Sequence, residues 1–207
     1  MTTVGAWLAA HRDLEHRDRE VLLCRAAGLS RAQVMARPER PLPPPVTAML
    51  RGWAARRRRG EPVAYILGER EFWGLALEVT PAVLVPRPET ELLVEVALLA
   101  CESQLPKVGS SPAGGRPLRI LDLGTGSGAV AIAIAVEASA RKLPVRVAAT
   151  DVSAQALAVA ARNARRHDAA VAWLQSDWFD AVAGRFDLIV SNPPYVAAQD
   201  PHLPSLQ

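Results

Sequence analysis

Two short stretches of this chain carry most of its chemistry. In the first, Asp122-Leu123-Gly124-Thr125-Gly126-Ser127-Gly128, three glycines alternate with small hydroxyl residues. Glycines at a strand-to-helix turn remove Cβ atoms, so a ligand can approach the backbone and the helix N-terminus closely. Their pattern is G-x-G-x-G, whereas dinucleotide-binding turns use G-x-G-x-x-G, which argues against a nicotinamide cofactor. Asp151 stands 27 residues after Gly124, at the end of the next apolar run. A carboxylate there can accept hydrogen bonds from both hydroxyls of a ribose, or can cap a helix starting near Ser153. Asp177 and Trp178 end the run after that. They offer a carboxylate and an indole for the edge and face of an adenine ring, or a loop salt bridge and a core aromatic.

The second stretch is Asn192-Pro193-Pro194-Tyr195. Pro193 pushes Asn192 out of the helical region, and two consecutive prolines stiffen the turn. The result is a fixed edge that presents the Asn192 side-chain oxygen and the Pro193 carbonyl beside an aromatic ring. Two acceptors and a flat wall suit a planar NH2 group. No His or Cys lies in the motif, and His202 nearby reads as a surface histidine.

These residues need a scaffold that brings strand ends together, and the pattern around them supplies one. Arg119 to Leu123 reads as a strand and Gly128 to Ala138 as a helix. Periodicity alone does not settle that helix, because Val130, Ile132, Ile134 and Val136 alternate with alanine. Its length and its place after a glycine turn decide for helix. Val145 to Thr150, Ala170 to Leu174 and Phe186 to Val190 read as further strands, with a helix from Ser153 to His167. Strands alternating with helices imply parallel βαβ units with right-handed crossovers. In such a sheet, both motifs fall at the carboxyl edge, where ligands bind.

The upstream part differs. Residues 4–60 read as short helices, one of them stopped by Gly28. Another begins at the last proline of Pro41-Leu42-Pro43-Pro44-Pro45, would carry Val46, Met49, Leu50 and Trp53 on one apolar face, and ends in Arg56 to Arg59 and Gly60. The arginines can serve that helix end or contact RNA or an acidic partner. From Glu61 the period changes: Phe72 to Val79 and Val83 to Val85 suggest a β-hairpin, with a bend at Gly74. Glu89 to Ala100 reads as a helix capped by Thr90 or a neighbour, followed by a Ser-, Gly- and Pro-rich loop from Ser103 to Pro117.

Composition narrows the class. Of the 207 residues, 50% are hydrophobic and 22% charged, which excludes a disordered chain. No apolar run approaches the roughly 18 residues of a membrane span, and charges among the first twenty residues exclude a signal-peptide core there. Cys24 and Cys101 are far apart and lack ligand-like spacing, so reduced thiols in a cytoplasm are expected and no metal site is. Residues 1–60 hold 12 Arg against 5 acidic residues, while the rest is net negative. A basic appendage of this kind suits nucleic acid or its complexes, although the Arg bias also fits genomic base composition.

Taken in order, the glycine loop, strand-end Asp and N-P-P-Y resemble S-adenosylmethionine-dependent amino-methyltransferases. The block Gly60-Glu61-Pro62-Val63-Ala64-Tyr65, Arg70-Glu71-Phe72-Trp73-Gly74 and Pro86-Arg87-Pro88-Glu89-Thr90-Glu91 is similar to that of the release-factor glutamine N5-methyltransferases (PrmC/HemK). The resemblance implies a Rossmann-like α/β methyltransferase sheet in residues 86–207, a β-hairpin linker in 61–85 and a release-factor-binding helical domain in 1–60. It places Gly124, Thr125, Gly126, Ser127, Gly128, Asp151, Asp177, Trp178 and Asn192 at S-adenosylmethionine. It places Asn192, Pro193, Pro194 and Tyr195 at the glutamine of a Gly-Gly-Gln motif, with Asn192, Pro193 and Tyr195 catalytic. The implied activity is methylation of peptide chain release factors, modulating translation termination in the cytoplasm, with no membrane contact and with direct nucleic-acid binding not required but left open. An adenine N6- or rRNA guanine amino-methyltransferase shares the cofactor loop and the N-P-P-aromatic motif. The family's catalytic domain continues past this motif, and only 12 residues follow Tyr195. The sheet is therefore expected to lack its C-terminal strands and to leave its fourth strand at an edge, which also admits a non-catalytic remnant.

Overall fold

A computed structural model describes residues 2–104 and 116–193. The chain divides into two compact units, Met1–Leu67 and Gly68–Gln207. The first is helical: α1 (Val4–Ala10), α2 (His16–Ala27), α3 (Arg31–Ala36), α4 (Pro44–Arg58) and α5 (Val63–Leu67). Local chemistry sets their ends. The Thr3 hydroxyl accepts from the Ala6 N–H at the start of α1. Ser30 and Gln33 form a reciprocal capping box on α3, and Pro44 opens α4 at a position where a missing N–H costs nothing. Val4, Trp7, Leu22, Leu23, Val34, Leu50, Ala54 and Ile66 form one buried cluster.

The arginine run is held inside this unit. Arg57 Nε donates to Asp18 at 2.6 Å, Arg58 Nε to Asp13 at 2.6 Å, and Arg56 Nε to Glu61 at 2.8 Å. Arg56 also donates to the carbonyls of Tyr65 and Ile66. It thereby ties α4 to α5, a helix that the change of period at Glu61 does not reveal. Five residues are too few for a periodic signal, and α5 is closed by its buried Ile66 and by this guanidinium.

The second unit opens with a hairpin of β1 (Glu69–Phe72) and β2 (Leu75–Glu78), paired from Glu69 opposite Glu78 to Phe72 opposite Leu75. Its strands are shorter and earlier than the hydrophobic pattern predicts. Trp73 and Gly74, with φ of 53° and 70°, form a two-residue turn of the type that matches strand twist. Val83 to Val85 lie outside any strand. The charged Glu69, Arg70 and Glu71 conceal β1, because cross-strand hydrogen bonds need no apolar side chain.

A 3₁₀ turn (Pro88–Thr90) leads into α6 (Glu91–Gln104), and β3 (Leu118–Leu123), α7 (Ala129–Ala140), β4 (Val145–Asp151), α8 (Ala154–Arg166), β5 (Val171–Gln175) and β6 (Leu188–Ser191) follow. The four later strands form one parallel sheet in the order β5-β4-β3-β6. This is the doubly wound arrangement: the chain runs outward from β3 to β5, then returns to the other side of β3. The switch point lies between the carboxyl ends of β3 and β6. Ile120, Val147, Ala149 and Val190 from the sheet pack with Ala131, Ala133 and Ile134 of α7 and Val94 and Leu98 of α6. The alternating Val/Ile–Ala run is thus a helix buried on most of its surface. Asp187 secures the start of β6: its carboxylate accepts from the Arg119 backbone N–H at 2.8 Å and from both terminal nitrogens of Arg116 at 2.7 Å. Among the described residues, no helix is long and apolar enough to cross a membrane.

Candidate functional site

The loop leaving β3 is shaped by its own backbone. The Thr125 N–H donates to the Thr150 carbonyl at 2.9 Å and the Gly128 N–H to the Thr125 carbonyl at 2.9 Å, which curls the chain into a tight turn before α7. Gly126 has φ of 56°, and nothing lies within 4 Å of where its Cβ would stand. Gly128 is different. A Cβ there would lie 2.8 Å from Ile132 Cδ1, 3.0 Å from Ala160 Cβ and 3.1 Å from Trp173 Cη2. Its glycine lets α7 start against α8 and β5, a packing reason that the motif alone does not disclose.

Asp151 faces this loop from the end of β4. Its Oδ2 accepts from the Gly126 N–H at 2.8 Å and its Oδ1 from the Ser153 N–H at 2.9 Å. The helix cap itself is Ser153, whose hydroxyl accepts from the Ala156 N–H. An ionised carboxylate has about four acceptor positions, so each oxygen retains capacity for a further donor. Asp122 is buried beneath the loop, and the Thr125 hydroxyl donates to it at 2.6 Å. Burial pushes its carboxyl up to about 7, with the Thr125 hydrogen bond pulling the other way.

A second support comes from Asn163 of α8, which is 1% exposed. Its Oδ1 accepts from the Glu78 N–H at 2.7 Å, while Nδ2 donates to the carbonyls of Glu78 at 3.0 Å and Ser127 at 2.9 Å. One amide thus ties the hairpin to the glycine loop. The signal in the sequence was a lone Asn on the face that carries Ala156, Val159, Ala160 and Ala164, all buried.

At the end of β6, the Ser191 hydroxyl donates to the Leu123 carbonyl at 2.8 Å, clasping the two strand ends together. Asn192 follows, half-buried, and its Nδ2 donates to the Thr90 hydroxyl at 2.9 Å. Thr90 therefore meets the second motif and sits in the turn that precedes α6. A hollow between the strand ends is lined by Pro86, Thr90, Asp122, Gly124 to Ser127 and Asn192. An adjoining hollow is lined by Arg87, Glu89, Thr90, Leu92, Leu93, Ser191 and Asn192.

The fold thus gathers Gly124, Thr125, Gly126, Ser127 and Asn192 at one hollow, with Asp151 hydrogen-bonded to the loop. Gly128 stands apart in the packing described above. Asp177 and Trp178 occupy an exposed turn after β5, with Trp178 55% exposed at φ of 45°. The buried Ser176 anchors that turn: its N–H donates to the Asp151 carbonyl and its hydroxyl to the Trp178 carbonyl. Pro193 is half-buried, whereas Pro194, Tyr195 and His202 lie outside the described residues. Among the described residues, no group of three or more His, Cys, Asp or Glu side chains could hold a metal ion.

A doubly wound sheet with a glycine turn and a polar side chain at its switch point defines the class of nucleotide- and nucleoside-binding α/β domains. Residues 5–68 match the PrmC N-terminal domain family and residues 110–205 the methyltransferase small domain family. The release factor glutamine methyltransferase of Bordetella pertussis is 46% identical over 95% of this chain and 68% of its own length. That of Haemophilus influenzae is 46% identical over 90% of this chain and 63% of its own length. The chain belongs to the release factor glutamine methyltransferase family, and it spans a little under two thirds of the length of several curated relatives it matches. A solved methyltransferase structure from Pyrococcus furiosus covers 68% of this chain and 61% of its own at 25% identity, with a TM-score of 0.41.

Proposed function

We propose that this chain transfers a methyl group from S-adenosylmethionine to the side-chain amide nitrogen of the Gly-Gly-Gln glutamine in peptide chain release factors. The observation that carries this reading is the meeting of the β3 glycine loop and Asn192 of β6 at one hollow, in a chain of this family. Gly124 to Gly128, Asp151, Asp177, Trp178 and Asn192 hold the cofactor, and the chemistry of the site suits it. The spare acceptor positions of Asp151 match ribose hydroxyls, and the space beside Gly126 admits a ligand against the backbone. The cofactor, when bound, supplies an electrophilic methyl group on a sulfonium.

Asn192, Pro193, Pro194 and Tyr195 orient the acceptor. An amide nitrogen is a poor nucleophile because its lone pair is delocalised into the carbonyl. Asn192 Oδ1 and the Pro193 carbonyl accept the two N–H bonds, which turns the lone pair toward the methyl carbon. S-adenosylmethionine held there would supply its methyl group to that lone pair and leave as the neutral thioether, and the methylated nitrogen would give its extra proton to water. Fixed dipoles and positioning lower the barrier without a titrating base.

Residues 1–60 serve as the release-factor-binding domain, with 61–85 as linker and 86–207 as methyltransferase domain. The excess of arginine in residues 1–60 supports a role in meeting an acidic or ribosome-bound partner. Within the arginine run, Arg56, Arg57 and Arg58 each pair with a carboxylate of the same unit and so help to hold that unit together. The free thiols of Cys24 and Cys101 suit a reducing cytoplasm, where translation termination occurs.

The test has two stages. Calorimetric titration with S-adenosylhomocysteine should show saturable one-to-one binding. Labelled methyl should then pass to a release factor but not to one whose motif glutamine is replaced by alanine. Label on both proteins, or on RNA instead, would overturn the assignment of the acceptor. A folded chain that neither binds nor transfers would leave the remnant reading in its place.

A further inference from the structure

We infer that Thr90 is a positioning residue: its hydroxyl holds the Asn192 carboxamide in the orientation that receives the acceptor nitrogen. The inference rests on the proposed amide methyl transfer and names a residue that the two motifs leave without a role.

Thr90 is set firmly. Its N–H donates to the Arg87 carbonyl at 3.0 Å within the 3₁₀ turn, and the next residue is anchored too, since Glu91 Oε1 accepts from the Trp73 N–H at 2.9 Å. The helix that follows is pinned by the buried Val94, Ala97 and Leu98. A β-branched side chain on such a backbone has few χ1 choices.

Asn192 has the complementary problem. Its backbone is constrained by the Pro193 that follows and by the Ser191–Leu123 clasp before it. The terminal torsion of an asparagine nonetheless remains soft and roughly two-fold, so backbone placement alone does not say which end of the amide faces the substrate. An amide oxygen accepts an N–H of the incoming NH2 group, whereas an amide NH2 turned the same way sets donor against donor. The 2.9 Å contact from Nδ2 to the Thr90 hydroxyl fixes the plane of the amide and keeps its donor end on the Thr90 side.

The surroundings agree. Arg87, Thr90 and Asn192 line both neighbouring hollows. One contains the glycine loop and the other is backed by Leu92 and Leu93, so the Thr90–Asn192 pair stands at their common wall. That is where an acceptor side chain entering from one hollow would meet a methyl group held in the other.

The experiment uses isotope-labelled chain and the variants Thr90→Val, Thr90→Ala and Thr90→Ser. The Asn192 side-chain NH2 resonances are identified by their loss in Asn192→Asp. In Thr90→Val and Thr90→Ala their exchange with water should quicken by about tenfold, and Thr90→Ser should restore it to within about twofold. In the methyl-transfer assay, Thr90→Val should lower kcat about 10–30-fold and leave S-adenosylhomocysteine affinity within about twofold, with Ser again rescuing. Unchanged Asn192 signals in both hydroxyl-free variants, or a serine variant that behaves like valine, would overturn the inference. If the wild-type chain transfers no methyl group, the proposed function falls, and the exchange rates alone decide whether Thr90 holds the amide.

Discussion

The ends of β3 and β6 lie side by side at the switch point, and they are built in different ways. β3 pairs with a strand on each side and ends in a loop set by main-chain hydrogen bonds, positive-φ glycines and buried side chains. β6 pairs with β3 alone among the described strands, leaves Ile189 48% exposed, and presents Asn192 through a side-chain contact to Thr90. The first end is a piece of the core that happens to border a hollow. The second is a polar group placed on a thinner support. Changes at the first should therefore be felt as stability or cofactor affinity, and changes at the second as turnover.

The largest effect that would sharpen this contrast is expected at Gly128. Gly128→Val adds a β-branched side chain at φ of 82° into contacts of 2.8, 3.0 and 3.1 Å for the Cβ alone. It should cost about 4 kcal/mol or more in urea unfolding, and a loss under about 1 kcal/mol would show that the α7–α8 packing yields easily.

Asp122 tests the same strand end through pH. Its folded-state value of about 7 stands above its ordinary 3.8, so between these values the native state holds a proton that the unfolded state has lost. Its contribution to stability is full below 3.8, declines as pH rises, and is gone above about 7. Asp122→Asn keeps the shape without the charge, and should remove about 2–3 kcal/mol of the fall between pH 5 and pH 8. An unchanged pH profile would mean that the buried carboxyl does not titrate there. Asp187 works in the opposite direction. Arg116 and the Arg119 N–H hold it at about 2, so its contribution is present above 3.8 and is lost as pH falls toward 2.

Asn192→Ala should break the contrast from the other side. Turnover should drop about 10²-fold, while stability changes by less than about 0.5 kcal/mol. A comparable loss of stability would place Asn192 in the core rather than at the site. The smallest effect is expected for Asp151→Ala, which should weaken S-adenosylhomocysteine binding by about 1–3 kcal/mol. Calorimetry showing undiminished affinity would limit Asp151 to bracing Gly126.

Local grammar made much of this molecule legible. The glycine turn, the alternation of strands and helices from Arg119 to Val190, the Ser153 cap and the Gly28 stop all follow from rules that act within a few residues. The α/β class and the edge on which Asp151 and Asn192 stand could be read from them. Features set by pairing and packing between elements were not legible in the same way. The turn at Trp73-Gly74 displaced the expected hairpin, because pairing partners outweighed the apolar pattern. The packing role of Gly128 was hidden too, since Ile132, Ala160 and Trp173 close around it only once α7, α8 and β5 are assembled.

The sequence by itself determined the strands and helices from Arg119 onward, their order, and the residue types available at each strand end, since these depend on propensity, periodicity and turn chemistry. Only the tertiary structure decided that Thr90 meets Asn192 across 102 residues, and that Asn163 joins the hairpin to the glycine loop across 85 and 36. Side-chain hydrogen bonds of that reach have no periodic signature. They exist only once the sheet order has brought distant strand ends within about 3 Å of their partners.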